Sequence, residues 1–99
     1  MNDLDKQFPD VFLNLEILAE ECAEVIKIKS KIIRFGVRHY HPKDQQANIN
    51  CLVQELGDIL ALIEILKANG VMKQAELDLA VQVKLNKMPQ WYTPNEVEK

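Results

Sequence analysis

Glycine, proline and aromatic residues are scarce in this chain: three Gly, four Pro and 6% aromatic side chains among 99 residues. Collagen-like repeats and a disordered Gly/Pro-rich tether are thereby excluded. The two cysteines, Cys22 and Cys51, have 28 residues between them, too sparse for a disulfide scaffold or a metal knuckle. Both lie in apolar stretches and read as buried thiols of a reducing compartment. Ser30, between two lysines, is the sole serine, so a nucleophilic triad has no hydroxyl to build on. A Gly-rich phosphate loop is missing as well. No apolar run approaches the ~18 residues of a membrane span. The opening MNDLDKQF is polar and acidic where a secretion leader would be basic and then apolar. A cytoplasmic protein without membrane contact is expected. Nor is there an excess of base: twelve Lys and Arg against fifteen Asp and Glu give a net charge of −3, which argues against non-specific nucleic-acid binding.

What is present is helical periodicity. Hydrophobic residues make up 47% of the sequence, enough for one helical domain over 1–99 with tails at 1–9 and 89–99. A first helix is predicted from about Pro9 to Arg34, opened by Asp10 beside the orphan amides and stopped by Gly36. Leu15, Leu18, Ala19, Cys22, Val25, Ile32 and Ile33 recur on one face, with Lys29 its one charged member. Elsewhere on this helix Glu16, Glu20, Glu21 and Glu24 come early, and Lys27, Lys31, Arg34 and Arg38 come late, an order that suits the helix dipole. Residues 35–47 read as a connector, because Pro42 discourages helix through His41. A second helix is predicted from Asn48 to Lys67 or Ala68, ended by Asn69-Gly70, and a third from about Lys73 to Lys87.

The second helix is apolar at nearly every angle, from Leu52 and Val53 to Ile65 and Leu66. A helix of that kind belongs in an interior, and two neighbours in so short a chain cannot cover it. A second copy can. The expected architecture is therefore all-α, with two long helices plus a shorter third per chain and a four-helix-bundle core formed on dimerisation.

Four acids interrupt the apolar surfaces. Glu55 and Asp58 lie three apart and share a face of the second helix with Leu62 and Ile65. Glu21 and Glu24 have the same spacing on the first helix, above Ile28. Glutamates at such intervals are common on solvated helices, but Glu55 and Asp58 stand in apolar surroundings with Gly57 between them. A glycine inside a helix costs about 1 kcal/mol relative to alanine, and close helix packing is the simplest offset. Four carboxylates brought to one point would repel and be desolvated unless a cation joined them. Carboxylates with water suit Mg²⁺ or Mn²⁺, whereas zinc or copper would call for imidazole or thiolate. Such a metal beside Lys27, Lys31, Arg34, Arg38, Lys84 and Lys87 points to phosphate oxygens and metal-activated water.

The stretches LAEECAEVIKIKSKI (18–32) and NCLVQELGDILALIEIL (50–66) resemble the MazG-like, all-alpha nucleoside triphosphate pyrophosphohydrolases. The family signature Glu-Glu-x-x-Glu is matched by Glu20, Glu21 and Glu24, and its Glu-x-x-Asp by Glu55 and Asp58. The resemblance covers about 11–68 and implies a homodimer or dimer of dimers. It also implies cleavage of a nucleoside triphosphate between the α and β phosphates. By motif position Glu21, Glu24, Glu55 and Asp58 would hold Mg²⁺, with Glu20 helping to hold metal or orient water. Lys84 and Lys87, with Lys31, would face the phosphates. Thirty residues separate Glu24 from Glu55, long for the family, and the extra length around Tyr40 to Gln46 places Arg38 and Tyr40 as candidates for the base. Hydrolysis of phosphoribosyl-ATP uses the same chemistry, and a dimeric helical adaptor with no metal is the alternative of a different class.

Overall fold

The computed structural model describes residues 3–41, 43 and 46–92. Four helices account for most of them: α1 (Asp3–Gln7), α2 (Val11–Phe35), α3 (Asn48–Ala68) and α4 (Gln74–Lys87), with a 3₁₀ turn at Met88–Trp91. The predominantly helical architecture is as expected. Between α2 and α3 lies a small antiparallel ribbon, β1 (Tyr40–His41) and β2 (Gln46–Ala47), pairing Tyr40 with Ala47 and His41 with Gln46. Among the described residues no helix is long and apolar enough to cross a membrane.

Local chemistry sets the helix ends. The Asp10 carboxylate accepts from the Leu13 amide at 3.1 Å, capping α2. Gly36 ends that helix at φ 105°, with its N–H bonded to the Ile32 carbonyl, a backbone conformation that glycine tolerates. Gly70, at φ 80°, turns the chain after α3. At α4 the Glu76 side chain accepts from the Lys73 amide at 2.8 Å, the reaching-back half of a capping box. The segment expected as an N-terminal tail differs: residues 3–7 are helical, and the tail expected from 89 begins inside the 3₁₀ turn. Residues 93–99 of that second tail lie outside the described residues.

Helices α2 and α3 form an antiparallel pair, clipped at each end by a buried asparagine. Asn14 Nδ2 donates to the Phe8 carbonyl (3.0 Å) and to Asn69 Oδ1 (2.9 Å). Asn69 Nδ2 in turn donates to Asp5 Oδ1 (2.7 Å) and the Phe8 carbonyl (3.1 Å), which ties α1 to the end of α3. At the opposite end Asn48 Nδ2 donates to the Gly36 carbonyl at 3.0 Å. Buried amides satisfied in this way fix the register of the pair, because sliding either helix would orphan them.

Between the clips the single-chain core is small: Ile28, Leu62 and Leu66. The face of α2 turned to α3 carries Asn14, Leu18, Glu21, Val25, Ile28 and Ile32, all buried or half-buried. This corrects the expected core stripe. Leu15, Ala19, Cys22 and Ile33 are exposed instead, so Cys22 is not a buried thiol; Cys51 is half-buried. Counted at 100° per residue, Phe12, Leu15, Ala19, Cys22, Ile26 and Ile33 make a second apolar stripe of α2, about 110° round from the first. In an antiparallel pair the same rotation brings Val53, Leu56 and Leu60 of α3 to the same side. That side is open: Val53 is 61% and Leu60 62% exposed. The all-round apolar α3 is thus covered on one flank only within one chain. Gly57 likewise has no near neighbour, since a Cβ there would meet nothing within 4 Å, and the close packing expected at this glycine does not occur within the chain. No residue of α4 is buried. This helix stands beside the pair, joined to it through Lys67 Nζ, which donates to Gln74 Oε1.

Candidate metal centre

The rotation of α2 that buries Ile28 also turns Glu21 toward α3, two turns earlier on the same stripe. Opposite it, Glu55 and Asp58 occupy successive turns of α3. One carboxylate oxygen from each of Glu21, Glu55 and Asp58 lies within 4.8 Å of the others. Glu21 and Glu55 are half-buried and Asp58 is exposed. The arrangement is therefore open to solvent on the Asp58 side.

The electrostatics are those of acids held too close. Glu21 is pushed up from 4.5 to about 7. A hydrogen bond shared with Glu55 contributes most, followed by partial burial, repulsion from the Glu55 charge, and the hydrogen bond and charge of Asp58. Glu21 thus keeps its proton to a higher pH than an isolated carboxyl does. Glu55 Oε2 is buried with no hydrogen-bond partner, an arrangement that costs free energy unless something else fills the coordination. Three carboxylates, one of them with an orphaned oxygen, are hard donors of the kind that a divalent cation such as Mg²⁺ or Mn²⁺ takes.

The remaining candidate residues divide. Glu24 is outside the three-carboxylate group. Its Oε1 pairs with Lys27 Nζ at 3.3 Å in an exposed ion pair, of a kind worth about 0–1 kcal/mol and easily exchanged. It nonetheless borders, with Glu55, a recess of about 210 Å³ between the helices. Lys31 lines the same recess. Glu20 is exposed on another side of α2, about 100° from Glu21. Lys84 and Lys87 lie on α4, where they line a separate groove of about 510 Å³ with Trp91. Lys84 Nζ sits 3.8 Å from the centre of the Trp91 ring. Arg34 stacks on Phe35 at 5.2 Å, while Arg38, before the ribbon, and Tyr40, in β1, are exposed.

Sequence reasoning missed Gln46 and Gln54, which border the recess and hydrogen-bond each other through both amides, at 3.1 and 3.4 Å. Gln54 directly precedes Glu55, the one local sign that the polar surface continues. No family model, curated protein or solved structure matches the chain.

Proposed function

We propose that the chain is a Mg²⁺-dependent nucleoside triphosphate pyrophosphohydrolase of the MazG-like kind, releasing nucleoside monophosphate and pyrophosphate. The observation that carries this reading is the convergence of Glu21 with Glu55 and Asp58 from separate helices, in the order of the Glu-Glu-x-x-Glu and Glu-x-x-Asp motifs, with their oxygens within 4.8 Å. These three residues would hold the metal. When bound, the ion supplies charge neutralisation at the α phosphate and lowers the pKa of water. To hold the ion, Glu21 would be in its ionised form and Glu55 would offer its unpartnered oxygen. Glu24, which borders the recess next to Glu55, would be the carboxylate to accept the proton of attacking water. Lys31, which borders the same recess, would steady phosphate oxygens lying outside it.

The reading includes a second copy of the chain. One chain exposes 7764 Å², against about 5,800 Å² for a compact monomer of its mass. Its radius of gyration is 16.9 Å, where a compact domain of this length has about 13 Å. Stacking the Val53, Leu56 and Leu60 side of one chain on that of another would bury the open flank and make a four-helix core. Lys84 and Lys87, on a helix with no buried residue, would join the phosphates through such an assembly.

The test is incubation with a panel of ribo- and deoxyribonucleoside triphosphates and phosphoribosyl-ATP in Mg²⁺, resolved by anion exchange. Monophosphate and pyrophosphate in equal amounts are expected. Diphosphate and orthophosphate as products overturn α–β cleavage. Absence of turnover throughout, with no Mn²⁺ bound, favours a helical adaptor.

A further inference from the structure

The recess beside the carboxylates has a composition that a phosphate or metal site does not explain. Glu24, Ile28 and Lys31 of α2 face Cys51, Gln54 and Glu55 of α3 across about 210 Å³. That volume is below the ~300 Å³ at which drug-sized ligands begin, so it accommodates one ring system and not an entire nucleotide. Glu24 and Glu55 would repel a bare phosphate there, and Lys31 is the one cation among the described residues of the lining. The distinctive groups are neutral. Gln46, on β2, also lines the recess; its Nε2 donates to Gln54 Oε1 at 3.1 Å, and Gln54 Nε2 donates back to Gln46 Oε1 at 3.4 Å. Each amide thus offers the other one donor and one acceptor side by side.

That pairing has the hydrogen-bond pattern of a nucleobase edge. Uracil, thymine and guanine carry an adjacent N–H and C=O, and adenine and cytosine an adjacent N–H and ring nitrogen. Any of them can replace one glutamine in the pair, because an amide turned end for end exchanges its donor and acceptor. Ile28 supplies an apolar wall for the ring, and Glu55 belongs to both the recess and the carboxylate cluster. We infer that the recess takes the nucleobase of the substrate and that Gln54, assisted by Gln46, reads its polar edge. The inference rests on the nucleotide reading above and moves base recognition from Arg38 and Tyr40 into the groove between α2 and α3.

Binding, not turnover, tests it, so that its failure is distinguishable from failure of the pyrophosphohydrolase reading. Wild-type protein labelled with ¹⁵N is titrated with AMP, GMP, CMP and UMP without metal. Shift changes centred on the amides of Gln46, Cys51 and Gln54 are expected. The same titrations follow for Gln54→Glu and Gln54→Leu, substitutions at an exposed position that leave the core untouched. A carboxylate only accepts, so Gln54→Glu should favour guanine, whose N1–H and N2–H are adjacent donors, and penalise edges that present an acceptor. Its preference for GMP over UMP should rise about tenfold, while Gln54→Leu should weaken all four by about fivefold or more. Shift changes confined to other surfaces such as the Trp91 groove, no binding of any monophosphate, or an unchanged ranking in Gln54→Glu would overturn the inference. Monophosphate binding in the recess without triphosphate turnover would instead defeat the pyrophosphohydrolase reading and leave the base site standing.

Discussion

The proton on Glu21 ties stability, metal loading and pH into one measurable relation. With its pKa near 7 in the folded chain and 4.5 when unperturbed, Glu21 binds more protons folded than unfolded between those values. The stability this contributes is fully present below pH 4.5, declines as pH rises through 7, and is absent above. A cation reverses the trend, because it requires the ionised form that high pH supplies. Glu21 is about one-tenth ionised at pH 6 and about nine-tenths ionised at pH 8. The apparent affinity for Mn²⁺ should therefore rise about tenfold between those pH values. Isothermal titration at constant ionic strength measures the rise, and thermal melts with and without Mn²⁺ measure its effect on stability. Apo protein should melt lower at pH 8 than at pH 6, relative to Glu21→Gln, and the stabilisation by Mn²⁺ should be larger at pH 8. In Glu21→Gln the pH dependence of affinity should flatten. A wild-type affinity equal at pH 6 and 8, or a Glu21→Gln variant with the full tenfold rise, would refute the assignment of the proton to the three-carboxylate cluster.

Leu66, fully buried, should cost about 2–5 kcal/mol when changed to Ala, read from denaturant unfolding; Leu60→Asp, at an exposed site, should leave helix content intact and shift sedimentation equilibrium toward monomer. Asn14→Ala removes donors to Phe8 and Asn69 at a buried position and should cost about 1–3 kcal/mol, with faster amide exchange across α1. Gly57→Ala meets nothing within 4 Å in a single chain and should stabilise α3 by about 0.5–1 kcal/mol; if the variant instead weakens self-association at constant helix content, the second copy is what approaches that glycine.

Sequence alone determined the three longer helices and, to within about two residues, where they end, because those signals are local; the short α1 was not among them. Asp10 caps α2, Gly36 and Gly70 adopt the positive φ that ends or follows a helix, and α3 and α4 fall within a residue of their predicted limits. Sequence also determined that Glu55 and Asp58 share a stripe, since i and i+3 are neighbours on any helix. The rotation of α2 about its axis was not legible. Two apolar stripes compete on that helix, one through Leu18, Val25 and Ile28 and one through Leu15, Cys22 and Ile33, and hydrophobicity does not rank them. The tertiary structure decides for the first, through the buried amides of Asn14 and Asn48 clipping the ends of the pair. The clip from Asn14 to Asn69 joins residues 55 positions apart, beyond the reach of any local pattern. That rotation sends Glu21, and not Glu20 or Glu24, to meet Glu55 and Asp58. It also leaves the second stripe open beside α3. A side chain's spacing tells which neighbours share its face, but only packing between helices settles which face is turned inward.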